Sequence, residues 1–150
     1  MAADIDNDLL ILLSDVARHM RTCGDQMAQE HGLTRAQITI LARLERQPDL
    51  SQNELAAIAE VAPMTIARLI DRLEELGYVK RCPDPDDRRV WRLQLSPAAT
   101  PILRDIQHLR AELHSIMTEG IDPPVLAAMT KGLRRMKKNV SARRFAKEYV

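Results

Sequence analysis

Two adjacent arginines, Arg88 and Arg89, sit inside the stretch PDPDDRRVWRLQLS, residues 83–96. A guanidinium is a rigid fork of donors suited to planar anionic or acceptor-rich partners. Asp84, Asp86 and Asp87 surround the pair and nearly neutralise it, so bulk attraction is weak and orientation is what remains. One carboxylate can hold one guanidinium in a fixed fork while its neighbour stays free to reach a partner. In this reading Arg89 is the reaching side chain and Asp87 the organising carboxylate. A solvent turn would explain the Pro and Asp residues, but not paired arginines at the mouth of a strand.

Other residue types capable of chemistry do not assemble. His108 and His114 are six positions apart and point to different faces of one helix, unlike the four-residue spacing of a metal pair, and Glu112 between them does not repair this. The chain has five glycines and none forms a phosphate-cradling loop; no nucleophile elbow is present, and Cys23 and Cys82 match no zinc module or disulfide framework. No catalytic set, metal or cofactor is implied.

The elements that must position Arg88 and Arg89 are mostly helical. Leu9, Leu12, Val16, Met20, Cys23 and Met27 form one apolar stripe, predicting a helix over roughly residues 6–31 that Gly32 ends. Thr34 with Gln37 and Ser51 with Glu54 are capping boxes, each with a hydrophobic staple (Leu33 with Ile38, Leu50 with Leu55), and they open two further helices. The first of these carries Ile38, Leu41 and Leu44 as far as Pro48; the second is short and carries Leu55, Ile58 and Ala59 inward. Pro63 suits a first helical position, and Ile66, Leu69, Ile70, Leu73 and Leu76 form a buried face until Gly77. Tyr78–Cys82 and the alternation of Trp91, Leu93 and Leu95 read as two strands whose connection, residues 83–90, is the arginine loop. Ile102, Ile106, Leu109, Leu113 and Ile116, then Leu126, Met129, Leu133, Met136 and Val140, form two more helical seams.

A short helix, a tight turn, a longer helix and a hairpin can offer the longer helix to the major groove of a duplex while the hairpin touches backbone or minor groove. At about 100° per residue, the face of the 63–76 helix opposite its buried stripe holds Met64, Arg68, Asp71 and Glu75, flanked by Thr65 and Arg72. Arg68 can present two donors to guanine, Thr65 can bond an acceptor or phosphate, and Met64 can pack on a thymine methyl. Asp71 and Glu75 lie further along and would repel phosphate, so the helix should enter tip first. Arg88 and Arg89, with Arg81 and Arg92 on the flanking strands, would put positive charge at the wing, and Arg89 could enter the narrow, negative minor groove. An ordinary amphipathic helix with a mixed-charge face is the bland alternative.

The segment LSQNELAAIAEVAPMTIARLIDRLEELGYVKR followed by DPDDRRVWRLQLSPA resembles the MarR family of winged-helix transcription regulators, with the likeness running from about residue 8 to 140. The resemblance implies a mainly α fold with a small β-hairpin wing, a winged helix-turn-helix core over 34–96, and helical dimerisation regions over 1–33 and 97–150. It implies an obligate homodimer on a palindromic double-stranded DNA operator, with repression relieved by a small-molecule effector. By position, Arg88 and Arg89 fall on the family's wing arginines, and Pro63, Met64, Thr65 and Arg68 on the groove-facing start of its recognition helix. The expected DNA contacts are Ser51, Gln52, Pro63, Met64, Thr65, Arg68, Arg72, Asp87, Arg88 and Arg89. Two positions depart from the pattern: Ala62 stands where a capping side chain is usual, and Pro101 means the helix after the second strand begins at Thr100 or bends there.

Arg18, His19 and Arg21 beside the first apolar stripe could pair with an aromatic acid, although a solvated helix edge accounts for them too. A thiol-based oxidant sensor would rest on Cys23, which continues an apolar stripe, or Cys82, which follows Arg81. A coiled-coil interaction module without DNA binding would explain the terminal seams but leave the wing arginines idle. From Lys131 onward eight Lys or Arg face Glu148 alone, a net of +7 that leaves residues 1–130 at −6; this basic tail reads as a nucleic-acid arm or as a solvated helix face. The longest apolar run, Leu9–Leu13, is far short of a bilayer span, and Asp4, Asp6 and Asp8 oppose a secretory leader, so a soluble cytoplasmic protein without membrane contact is expected.

Overall fold

The computed structural model describes residues 8–142. Its order is α1 (Leu9–Glu30), α2 (Arg35–Arg46), α3 (Gln52–Ala59), α4 (Pro63–Glu75), β1 (Val79–Pro83), β2 (Trp91–Leu95), α5 (Thr100–Thr118) and α6 (Pro123–Ala142). Two compact units divide within α5, Met1–Arg110 and Ala111–Val150. No helix among the described residues is long and apolar enough to cross a membrane.

Helix boundaries follow local chemistry. Asp8 caps α1 by accepting from the Leu10 and Ile11 amides. At its other end Gly32, at φ 65°, lets the Gly32 amide reach the Gln29 carbonyl and the Leu33 amide reach that of Ala28, the paired bonds of a Schellman stop. Gly77 (φ 76°) ends α4 in the same way, with the Tyr78 amide on the Leu73 carbonyl. Both capping boxes are formed in full, and the staple residues Leu33, Ile38, Leu50 and Leu55 all belong to one core cluster. α5 begins at Thr100, after a 3-10 turn over Pro97–Ala99, so Pro101 occupies its first turn, where no amide donor is missed.

The core of the first unit is built from α2, α4 and the hairpin, with Leu41, Leu44, Ile66, Ile70, Leu73 and Leu93 fully buried. Burying each such side chain contributes about 1.5–3 kcal/mol. The core reaches beyond 34–96, since Met27 and Ala28 of α1 and Ile102 and Ile106 of α5 join it. Ile58 and Ala59 do not go inward as expected: both are exposed, Ile58 at 42%, and Ala56 takes the buried position beside Leu55. β1 and β2 pair antiparallel with Val79 opposite Leu95 and Cys82 opposite Arg92. A short bridge between Ser51 and Arg92, with the Leu93 amide on the Leu50 carbonyl, adds the entry to α3 as a third strand-like edge.

Several apolar side chains along the helices remain uncovered in the single chain. They include Leu9, Leu12, Val16 and Met20 on α1, and separately Val125, Met129, Leu133 and Val140 on α6.

Candidate nucleic-acid interface

α4 turns Ile66, Ile70 and Leu73 inward, which leaves Met64, Thr65, Arg68, Asp71, Arg72 and Glu75 exposed, the face expected from its period. Met64 is 68% exposed. Ala62 supplies no side-chain cap, and Pro63 occupies the first helical position, where its missing amide costs nothing. The acidic residues further along are engaged: Asp71 pairs with Arg81 at 2.7 Å and Glu75 with Arg72 at 3.3 Å. Arg68 makes no ion pair among the described residues.

Arg81 is not a wing cation for an outside partner, contrary to the sequence expectation. Its side chain is only 17% exposed. Nη2 lies 2.7 Å from Asp71 and 3.2 Å from the Ala67 carbonyl, Nη1 donates to Glu74 at 2.7 Å, and Nε donates to Gln52 at 3.0 Å. One guanidinium thereby joins β1, α3 and α4. The sequence held a signal for this: alternation from buried Val79 places Arg81 on the inner face of the hairpin, where a charge requires partners.

Arg92 is half-buried and likewise engaged within the chain. Nε donates to Asp84 at 2.6 Å, while Nη1 reaches the Asp49 carbonyl at 3.1 Å and Glu54 at 3.4 Å. Asp49 stands in the left-handed region at φ 61° between α2 and α3, and its carboxylate accepts from the Gln94 side-chain Nε2 at 2.8 Å. The wing thus holds the turn before α3 in a conformation that a non-glycine residue seldom adopts alone.

The organiser of the loop is Asp84. Besides Arg92 it accepts from the backbone amides of Asp86 and Asp87, at 2.8 and 3.0 Å, and the hydrogen bond from Arg92, then those two amides, hold its carboxyl below the usual carboxylate range. The same pairing raises the Arg92 guanidinium. Glu54 is held low chiefly by the Ser51 backbone amide. Asp87 has a smaller part, accepting from the Arg89 amide at 3.0 Å and lying 3.5 Å from its Nε. Four loop carboxylate contacts therefore fix the backbone beneath Arg88 and Arg89. Arg88 makes no ion pair among the described residues, and the Arg89 side chain is 94% exposed.

The structure thus groups Pro63, Met64, Thr65, Arg68 and Arg72 on the open face of α4, and Asp87, Arg88 and Arg89 at the wing tip. Ser51 and Gln52 do not share that exposure. Ser51 is buried with its hydroxyl spent on the Glu54 amide, and Gln52 is half-buried under Arg81. Sequence reasoning missed Asp84, Arg81 and Arg92 as the brace. On α1, Arg18 bonds Asp15 of its own helix at 2.6 Å, and His19 and Arg21 are exposed. Cys23 and Cys82 are free and half-buried, Cys82 lying 3.5 Å from the Gln94 side-chain oxygen. The basic residues Lys131, Arg134, Arg135 and Lys138 lie exposed on α6, whereas Arg143, Arg144 and Lys147 of the tail lie outside the described residues.

Comparison with known proteins gives the arrangement a context. Residues 33–91 match the model of the MarR family. The Bacillus subtilis (strain 168) protein YsmB, an uncharacterized HTH-type transcriptional regulator, is 28% identical over 134 residues, covering 89% of each chain. A crystal structure of MarR superposes with a TM-score of 0.79 at 29% identity, over 95% of this chain and 97% of that one. A MarR-type protein from Listeria monocytogenes, solved in complex with a 26mer DNA, gives a TM-score of 0.80 over 91% of both chains; at 20% identity that likeness speaks to the fold alone.

Proposed function

The chain belongs to the MarR family of winged-helix transcriptional regulators, and from that premise we propose that it is a homodimeric repressor that reads a palindromic DNA operator and is released by a small effector. The observation that carries the reading is the contrast between two sets of arginines. Arg81 and Arg92 are taken up by carboxylates of the chain itself, and what they brace is α4 and a loop whose own arginines, Arg68, Arg88 and Arg89, face solvent.

In this mechanism the N-terminal half of α4 enters the major groove. Arg68 donates to a guanine edge, Thr65 bonds an acceptor or phosphate, and Met64 covers a thymine methyl. Arg72, drawn toward Glu75, reaches backbone phosphate at the edge of the footprint. Arg89 enters the adjacent minor groove, with Arg88 on the flanking phosphates and Asp87 limiting where Arg89 can swing. The Listeria protein solved with DNA supports the placement of such a fold on a duplex.

Dimerisation is supported by the uncovered apolar stripes of α1 and α6, which a second copy could cover with the same patches by two-fold symmetry. Pairing two reading heads makes the second engagement intramolecular, which compensates for the modest affinity of one helix and one wing. The test is a fluorescence-anisotropy titration of the protein with duplexes from upstream of its own coding region and with scrambled duplexes of equal length. The reading expects selective binding that weakens steeply with salt; equal affinity for both duplexes would refute it.

A further inference from the structure

One face of α6 concentrates charge of a single sign. Lys131, Arg134, Arg135, Lys137 and Lys138 are all exposed, and no Asp or Glu occurs from Pro123 to Ala142. At about 100° per residue, Lys131, Arg134, Arg135 and Lys138 share an arc of about 100°, on the side of the helix opposite Met129, Leu133, Met136 and Val140. They border an open groove along the helix, together with the small residues Ala128 and Gly132. A second copy that covers the apolar stripe leaves this basic one free.

This arrangement works against the helix that carries it. Lys131 with Arg135 and Arg134 with Lys138 are like-charged pairs four residues apart, which destabilise a helix. None of the four makes an ion pair among the described residues, and none lies in the last turn, where the helix dipole would favour a cation. Four cations held in mutual repulsion along about 10 Å of helix axis suit an extended polyanion, because each further anionic group relieves another charge. A nucleic-acid duplex carries one negative charge per about 1.7 Å of its axis, dense enough to meet all four. An anionic membrane suits them less: a helix lying in that interface puts its apolar face into lipid, usually with aromatic anchors, and α6 has no Trp, Tyr or Phe.

We propose that the basic face of α6 binds the phosphate backbone of duplex DNA without regard to sequence, a contact surface additional to α4 and the wing and independent of operator recognition by them. The full-length protein is titrated by fluorescence anisotropy with a scrambled duplex at several salt concentrations. A variant combining Lys131→Gln, Arg134→Gln, Arg135→Gln and Lys138→Gln keeps helix-favouring side chains and an intact apolar stripe. A charge-matched control carries Arg18→Gln, Arg21→Gln, Arg104→Gln and Arg110→Gln, exposed cations on α1 and α5. The α6 variant should lower the salt slope by about 3–4 and weaken low-salt binding by about tenfold or more, whereas the control should stay near wild type. An unchanged slope, or equal losses in the control, would overturn the assignment. Should the α6 variant not fold, lysine acetylation of the wild type read by mass spectrometry takes its place: the scrambled duplex should protect Lys131 and Lys138 more than Lys137, which lies off the arc, and no protection would overturn the face. Poly-glutamate, or vesicles of equal parts phosphatidylserine and phosphatidylcholine, bound as tightly as the duplex would assign the face to another anion and overturn the proposal. Loss of operator selectivity beside the expected change in slope would count against the operator reading alone.

Discussion

Replacing Arg81 with methionine separates a brace from a DNA contact. The guanidinium forms two 2.7 Å ion pairs, to Asp71 and Glu74, and donates to Gln52 and the Ala67 carbonyl. Hydrogen bonds to charged groups contribute about 1.5–3 kcal/mol each when shielded. Here the carboxylates are 58% and 42% exposed and recover water once Arg81 is gone, so the sum is discounted heavily. The net loss should be about 2 kcal/mol, a fall in Tm of roughly 4–8 °C for a chain of this size. Arg81→Lys keeps one pair and should lose about half as much. Thermal unfolding followed by circular dichroism reads the stability, and the salt dependence of DNA binding reads the alternative. Were Arg81 a phosphate contact, Arg81→Met would leave Tm within about 1 °C of wild type and reduce the salt slope by about 1. That pair of results would refute the brace.

Arg68→Ala should weaken operator binding by about 1–3 kcal/mol and relax preference at a single base pair; equal losses on every sequence, measured by anisotropy on a panel of point-substituted duplexes, would reassign Arg68 to phosphate. Acid should loosen the wing late. Asp84 and Glu54 titrate below their ordinary range in the folded chain, so their stabilising contribution is complete above about pH 4 and is lost as pH falls through the depressed values. The single tryptophan, Trp91 at the start of β2, reports this, and its emission should stay constant down to the ordinary carboxylate range and change below it; a transition between pH 5 and 7, roughly, would contradict the assignment. The pair Met129→Asp and Leu133→Asp should yield helical monomers by light scattering; dimers that persist would place the interface elsewhere.

Local grammar was legible in the sequence. Thr34 with Gln37 and Ser51 with Glu54 announced their helices because a capping box lies within four consecutive residues, and Gly32 and Gly77 marked stops because only the turn backbone matters there. The hairpin and its loop could be read from alternation and turn chemistry. What escaped was contact at long sequence separation. Arg92 meets Asp49 and Glu54 across 43 and 38 positions, and Arg81 meets Gln52 across 29, distances that periodicity does not register. Adjacency to the arginines points to Asp87 as organiser, whereas Asp84 takes that part because it begins the loop, where its carboxylate can face both the Asp86 and Asp87 amides and the side chain of Arg92. The uncovered Ile58 was invisible for a related reason: a short amphipathic helix shows which residues are apolar, not whether a neighbouring side chain fills the space beside them.

The most direct test of the recognition geometry is a hydroxyl-radical footprint of the wild type and Arg89→Ala on a selected operator. The wild type should protect two symmetric sets of positions centred about 34–36 Å apart, flanked by minor-groove protections that Arg89→Ala alone removes. A single asymmetric patch, or minor-groove protections that survive in Arg89→Ala, would contradict the account.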